Sequence, residues 1–225
     1  RNLFFSLEAA IRGWLDGKDN YFEPIPLGGA IRGPSVAKVL TSHLPGFKAG
    51  DLIFGLHHWE DYSLSDANTI LLSKLTPEAD IPLSYYAGGL GGSGHTAYVG
   101  LHEIGKIQAG DTVVISAAAG ATGSMATQIA KLRGCKVVGI VGGDNKCQIV
   151  TDTLGADAAI NYKTCEDLTS AIHDACPEGV DVYFDNVGGK TLDAALSCMN
   201  TFGRIIGCGM IGDYNDQDNP TPLFN

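Results

Sequence analysis

The sequence predicts an α/β protein: a doubly wound parallel sheet preceded by a smaller, mostly antiparallel β domain. Three observations carry that expectation. From about Lys106 onward, strand-like and helix-like segments alternate in βαβ order. The run Val113-Val114-Ile115-Ser116 leads through a glycine turn into a helical sequence. Before about residue 86, in contrast, short β-type runs are broken by Pro24, Pro26, Gly28-Gly29, Pro34 and Pro45-Gly46.

In chain order, Leu3–Leu7, Ser35–Leu40 and Asp51–Leu56 read as the strands of the first domain. Lys106-Ile107-Gln108-Ala109-Gly110 reads as the junction, dividing the chain into 1–105, with a connecting helix, and 106–225. Gly50-Asp51 and Gly110-Asp111 look alike but are independent strand entries. Beyond the junction, Asp111–Ala117, Lys136–Gly142, Ala158–Tyr162, Val180–Asn186 and Arg204–Cys208 read as strands. They are short, largely apolar runs, as expected for strands covered on both faces. Gly123–Arg133, Asn145–Leu154, Cys165–Ala175 and Lys190–Asn200 read as the intervening helices. The first of these carries Met125, Ile129 and Leu132 on one face and ends at Gly134, a residue suited to a helix C-cap.

At 225 residues with 44% hydrophobic and 18% charged content, the chain can bury one large core or two small ones. A formal charge of −10 repels nucleic acid and anionic membrane surfaces, and no Lys/Arg cluster offsets it, so neither is expected as a partner. No apolar run approaches the length of a membrane helix, and the start at Arg1-Asn2 lacks the pattern of a signal peptide. The six cysteines include no CxxC pair and fit thiols in a reducing, cytoplasmic compartment.

The turn after Ser116 is where chemistry is expected. Gly120 lets the backbone double back and Gly123 lets helix and strand pack closely, so the N–H groups and positive end of the following helix face a dinucleotide pyrophosphate. An NAD enzyme holds the adenosine ribose with an acidic residue at the end of the second strand. Here that strand ends in Gly142-Gly143, followed by Asp144, Asn145 and Lys146. Two readings fit: Asp144 as a helix N-cap with Lys146 a solvated charge, or Lys146 set against a ribose 2′-phosphate.

Ala117-x-x-Gly120-x-x-Gly123 resembles the nucleotide turn of the medium-chain dehydrogenase/reductase superfamily. Gly134-Cys135-Lys136-Val137-Val138-Gly139, Asn161-Tyr162-Lys163-Thr164, Tyr183-Phe184-Asp185-Asn186-Val187-Gly188-Gly189 and Gly203-Arg204-Ile205 are similar to its NADPH-dependent alkenal/one oxidoreductases and prostaglandin reductases, the leukotriene B4 12-hydroxydehydrogenase group. Gly94-x-Thr96-Ala97-Tyr98-x-Gly100-Leu101 and Leu7-x-x-x-Ile11-Arg12-Gly13 extend the likeness into the first half.

The resemblance implies a GroES-like β domain followed by a Rossmann domain. The implied activity is zinc-independent, NADPH-dependent reduction of the carbon–carbon double bond of α,β-unsaturated ketones or aldehydes. It also implies site roles. Ala121 and Thr122 give amides to the pyrophosphate, Lys146 and Tyr162 face the 2′-phosphate, and Asn186 lies beside the ribose and nicotinamide. Thr96, Cys208 and Gly209 flank the nicotinamide, and Tyr214 stands near the substrate carbonyl. Hydride addition to the β-carbon leaves an enolate, which a hydrogen-bond donor such as Tyr214 stabilises. The competing reading of Tyr214 is a surface aromatic in a polar loop.

Other patterns are set aside. No cysteine precedes Cys135, so the zinc ligands of the alcohol dehydrogenases have no counterpart and no metal is expected. His102 reads as helix surface, and His57-His58, adjacent in a strand, point to opposite faces and read as structural. Asp213, Asp216 and Asp218 read as a solvated loop.

The chain also departs from the family. Glu8-Ala9-Ala10 stands where Asp-Pro-Tyr is usual, which puts a prostanoid or leukotriene substrate in doubt. The chain has no initiator methionine and stops before the family's sixth strand, so it is expected to be a piece of a longer protein, partial at both ends. That expectation leaves Arg204–Cys208 with an unpaired edge open to a second copy in a homodimer, together with weak cofactor binding and slow turnover. Two rival functions stand beside the enone reductase: an NADPH:quinone oxidoreductase, and an NADPH-binding module without catalysis.

Overall fold

The computed structural model describes residues 1–17, 22–216 and 221–222. By its contacts the chain divides into two compact units, Arg1–Ser93 and Gly94–Asn225.

The first unit is built on strands β1 (Asn2–Phe5), β2 (Arg32–Lys38), β3 (Leu52–His58) and β4 (Ser73–Leu75), with helix α1 (Ala10–Trp14) after β1 and α2 (Leu83–Ala87) after β4. The strands form one antiparallel sheet in the order β1-β2-β3-β4. The sequence expected the first three within a few residues and did not mark β4, a three-residue edge strand of Ser, Lys and Leu with no fully buried residue. Ile11 and Trp14, three apart on α1, join Ile25 and Leu56 in a small core, with Trp14 only 2% exposed.

Helix α3 (Gly92–Val99) runs on as a π-turn over Gly100–Ile104. The second unit then alternates β5 (Thr112–Ser116), α4 (Ala121–Leu132), β6 (Lys136–Val141), α5 (Asp144–Gln148), β7 (Ala158–Asn161), α6 (Leu168–Ala175), β8 (Val180–Asp185), α7 (Gly189–Leu196) and β9 (Met199–Gly207). All strand pairs are parallel, in the order β7-β6-β5-β8-β9. This is the α/β doubly wound Rossmann sheet, with β9 along one edge.

Successive residues of the central strand feed different cores, as a period of two requires. Val113 and Ile115 pack with Val137, Val182, Phe184 and Ala126 on one face. Val114 packs with Val138, Ile140, Tyr183, Ile172 and Ala195 on the other. Full burial of each valine, isoleucine or phenylalanine among them contributes about 1.5–3 kcal/mol before entropy is counted.

Helix α4 presents a different face from the one its sequence suggests. Its buried residues are Gly123, Ala126, Thr127 and Ala130, while Met125 and Ile129 pack at the margin and Leu132 is 87% exposed. A stripe of small residues brings the helix axis close to the sheet, and the larger side chains flank the contact. Among the described residues no helix is long and apolar enough to cross a membrane.

Candidate functional site

The chain leaves β5 first to one side of the sheet, toward β6 and β7, and then to the other, toward β8 and β9. That reversal falls between β5 and β8, whose carboxyl ends are the position at which ligands of open α/β sheets bind. Ser116 ends β5 and Asp185 ends β8.

The turn out of β5 bends at Ala117, whose φ of +49° lies in the left-handed region. Gly120, expected to supply that bend, has φ −78° and ψ 177°, accessible to any residue. Its amide donates to the Ala117 carbonyl at 2.8 Å. The same carbonyl governs Gly123: a Cβ there would stand 2.2 Å from the Ala117 oxygen. Helix α4 then starts without a side-chain cap. The amides of Ala121, Thr122 and Gly123 in its first turn therefore have no carbonyl within the helix to bond, and they carry the positive end of the dipole.

At the end of β6, Gly142 lies under the ring of Tyr162, whose hydroxyl would be 2.9 Å from a Cβ on that glycine. Gly143, at φ +141°, turns the chain into α5. Asp144 is not the cap that one reading of the sequence makes it, since Gly143 occupies that position. The Asp144 carboxylate instead accepts from Asn161 Nδ2 at 2.7 Å. Lys146 is exposed on the same turn, its amide bonded to the Gly143 carbonyl at 3.0 Å.

The end of β8 is held by Asp185, which is 4% exposed. Its Oδ1 accepts from the Tyr183 hydroxyl at 3.0 Å, Ser116 Oγ at 3.2 Å and the amides of Val187 and Gly188, each at 3.0 Å. Burial, and then the Asp185 charge, push the Tyr183 phenol well above its ordinary pKa. Asn186 is anchored to β5: its amide donates to Ser116 Oγ at 2.8 Å and its Nδ2 to the Ser116 carbonyl at 2.7 Å. The chain after β9 is laced to this loop. Cys208 and Gly209 amides donate to the Asp185 carbonyl, Ile211 to Asn186 and Gly212 to Val187.

Tyr214 closes the group. Its hydroxyl would be 3.0 Å from a Cβ on Gly209, and the Asn186 carbonyl 3.4 Å. Tyr214 is half-buried. Asp213 beside it is 9% exposed and accepts from Thr221 Oγ1 at 2.8 Å, so it is not the solvated residue the sequence suggested; Asp218 lies outside the described residues. Burial, and then Asp185, raise the Cys208 thiol pKa.

The structure thus gathers Asn186, Cys208, Gly209 and Tyr214 around one strand end, with Gly142, Lys146 and Tyr162 at another. Thr96 is exposed on α3, one turn before Gly100, where a Cβ would meet the Phe184 ring at 2.8 Å. Ser116 and Asp185 were missed by the sequence reading. The available signal was a carboxylate closing the otherwise apolar run Val182-Tyr183-Phe184.

The two histidines of β3 do face opposite ways. His57 is 3% exposed with Nδ1 2.7 Å from Ser35 Oγ, and burial holds its pKa below the ordinary value. His58 is exposed beside Glu60. Among the described residues no group of three or more His, Cys, Asp or Glu side chains is placed to hold a metal ion.

Two family models match the sequence. Residues 121–225 match the model described as zinc-binding dehydrogenase, and residues 1–72 match an N-terminal domain of oxidoreductase. The chain is 44% identical to a 2-alkenal reductase (NADP(+)-dependent) of Nicotiana tabacum over 96% of its own length and 62% of the relative's. It resembles the structure of CurA from Vibrio vulnificus in complex with NADPH, with a TM-score of 0.86 at 38% identity, covering 99% of this chain and 65% of that one. Escherichia coli quinone oxidoreductase complexed with NADPH follows at a TM-score of 0.71 and 25% identity, covering 91% and 62%. The chain therefore spans less than two thirds of the length of the relatives it matches.

Proposed function

The chain belongs to the medium-chain dehydrogenase/reductase family, and on that premise we propose that it takes part in zinc-independent, NADPH-dependent reduction of the carbon–carbon double bond of α,β-unsaturated ketones or aldehydes. The observation that carries this reading is the Tyr214 hydroxyl resting against Gly209 beside the Asn186 loop, at the carboxyl end of the sheet. A single donor at that position suits an oxygen that gains charge during reaction. The likeness to a 2-alkenal reductase supports the substrate class.

The residues fit a dinucleotide phosphate. The uncapped start of α4, with Ala121 and Thr122, would take the pyrophosphate, and the close packing at Gly123 brings that helix end to the strand. Gly142, Lys146 and Tyr162 would take the 2′-phosphate, with Asn161 holding the Asp144 carboxylate to one side. Thr96, Asn186, Cys208 and Gly209 would flank the ribose and nicotinamide. When bound, NADPH supplies a hydride to the β-carbon of the substrate. Tyr214 donates a hydrogen bond to the enolate oxygen, and the loops at 186–188 and 208–212 fix the floor against which the substrate lies. The raised Cys208 pKa keeps that thiol protonated beside an electrophile.

Zinc independence is supported by the absence of any cysteine before Cys135. The six cysteines support a reducing, cytoplasmic setting. The test is NADPH oxidation by the purified protein with an enone and with a quinone. Faster oxidation with the enone bears the reading out; faster oxidation with the quinone favours the second reading, to which the quinone oxidoreductase likeness points. Tight NADPH binding without turnover on either would leave only a binding module.

A further inference from the structure

We propose that Asp185 is a positioning residue for the nicotinamide half of the cofactor site, acting through the two loops that it ties together; the proposal rests on the NADPH reading above.

Four donors converge on the Oδ1 of this buried carboxylate. Two are the successive amides of Val187 and Gly188, and Gly188 has φ +73°. Amides turned inward onto a buried carboxylate hold the path of the loop through charge-assisted hydrogen bonds. A third donor, Ser116 Oγ, comes from the neighbouring strand and also accepts from the Asn186 amide, so the same hydroxyl joins β5, Asp185 and the Asn186 backbone. The fourth, Tyr183, approaches from the strand itself.

The consequence for Asn186 is directional. Its Nδ2 is bonded to the Ser116 carbonyl, so its Oδ1 is the end left to accept from a ligand hydroxyl or amide. The consequence for the second loop follows from the backbone: the Asp185 carbonyl accepts from both Cys208 and Gly209, which sets the floor on which Tyr214 lies. The adenine-side contacts share none of these bonds. Gly142, Tyr162 and Lys146 hang on β6, β7 and α5. Removing Asp185 should therefore separate the two halves of the ligand.

The experiment titrates the 225-residue chain with NADPH and with adenosine 2′,5′-bisphosphate, which carries only the 2′-phosphate half, for wild type, Asp185→Ala, Asp185→Asn and Ser116→Ala. For Asp185→Ala, NADPH affinity should fall about 10- to 100-fold, the range for lost charge-assisted hydrogen bonds, while the bisphosphate changes by less than about twofold. Asp185→Asn keeps an acceptor oxygen and should recover part of the loss. Ser116→Ala should show the same split in smaller degree and stands in should Asp185→Ala fail to fold. Amide exchange at 186–188 should quicken in the same order of severity.

Equal losses for both ligands would reduce Asp185 to a general stabiliser, and no loss with unchanged exchange would remove it altogether; either overturns the proposal. A wild type that binds neither ligand defeats the cofactor reading instead, and the exchange measurement alone then decides whether Asp185 sets the loops.

Discussion

A Cβ on Gly123 would stand 2.2 Å from the carbonyl oxygen of Ala117, and 2.9 Å from the Ala117 carbonyl carbon and Ala118 Cα. Those are backbone atoms of the turn itself and cannot swing aside as a side-chain tip would. Gly123→Ala should therefore cost about 3 kcal/mol or more, at the upper end of overpacking effects. At Gly120 the nearest atom would be 3.1 Å away and φ is ordinary, so Gly120→Ala should cost under about 1.5 kcal/mol. Urea unfolding of both variants checks the order; equal destabilisation would refute it.

The 2′-phosphate corner predicts a cofactor preference. Lys146 is exposed on the turn that follows Gly142 and Gly143, where the proposed function sets it against a ribose 2′-phosphate that NADH lacks. Lys146→Ala should weaken NADPH binding about tenfold, the value of a charge-assisted hydrogen bond, and leave NADH nearly unchanged. Fluorescence titration with both cofactors reads this directly. Equal affinity of wild type for the two would remove the NADPH assignment.

Tyr214 separates chemistry from binding. Tyr214→Phe keeps the ring and loses the hydroxyl, so enone reduction should slow about 100-fold, as when an oxyanion donor is removed, with NADPH affinity intact. Gly209→Ala should also slow turnover, because a methyl there would stand 3.0 Å from the hydroxyl and displace it, but this variant touches the proposed nicotinamide floor and should weaken NADPH binding as well. An unchanged turnover number in the Phe variant would exclude the donor role.

Acid should destabilise the fold in a defined window. Asp51 is held below its ordinary pKa by Lys74 and then the Lys48 amide, and Asp167 by the Ser170 amide. Burial alone would raise Asp157, but its bonds to Lys131 and the Val137 amide outweigh that and lower it. A folded pKa below the unfolded 3.8 means stability that is present above 3.8 and lost as pH falls through the folded values. The urea midpoint should drop below about pH 5, and Asp157→Asn should drop less steeply. A variant whose midpoint falls as steeply as wild type's would show that Asp157 carries none of the effect.

Cys176 is 1% exposed, and burial raises its pKa to about 11. At pH 8 about one thiol in a thousand is then ionised, so iodoacetamide should modify Cys176 only when the second unit opens. Mass mapping after alkylation with and without denaturant tests this; rapid native labelling would contradict it.

The strand–helix alternation of the second half is legible because β5 to β8 are apolar runs whose neighbours sit on both faces, and burial leaves its mark in composition. The turn is legible in its glycines, but the assignment of labour within it is not. Ala117 takes the left-handed conformation and Gly120 does not, since a carbonyl's position relative to Gly123 is a fact of three-dimensional packing. The α4 face was misread for a related reason: periodicity counts apolar volume, whereas Gly123, Ala126 and Ala130 are buried because they are small. Asp144 and Asp185 found partners 17 and 69 residues away, Asn161 and Ser116, at distances no spacing rule covers.

Both tryptophans, Trp14 at 2% and Trp59 at 37% exposure, belong to the first unit, and the second has none. Indole emission therefore follows the antiparallel sheet alone, while the tyrosines of the second unit, among them Tyr183 and Tyr214, must be followed by absorbance or near-ultraviolet circular dichroism. Those signals also carry the aromatic residues of the first unit, so a transition seen by them and not by indole emission belongs to the second unit, and one melting experiment can ask whether the units unfold together or in turn.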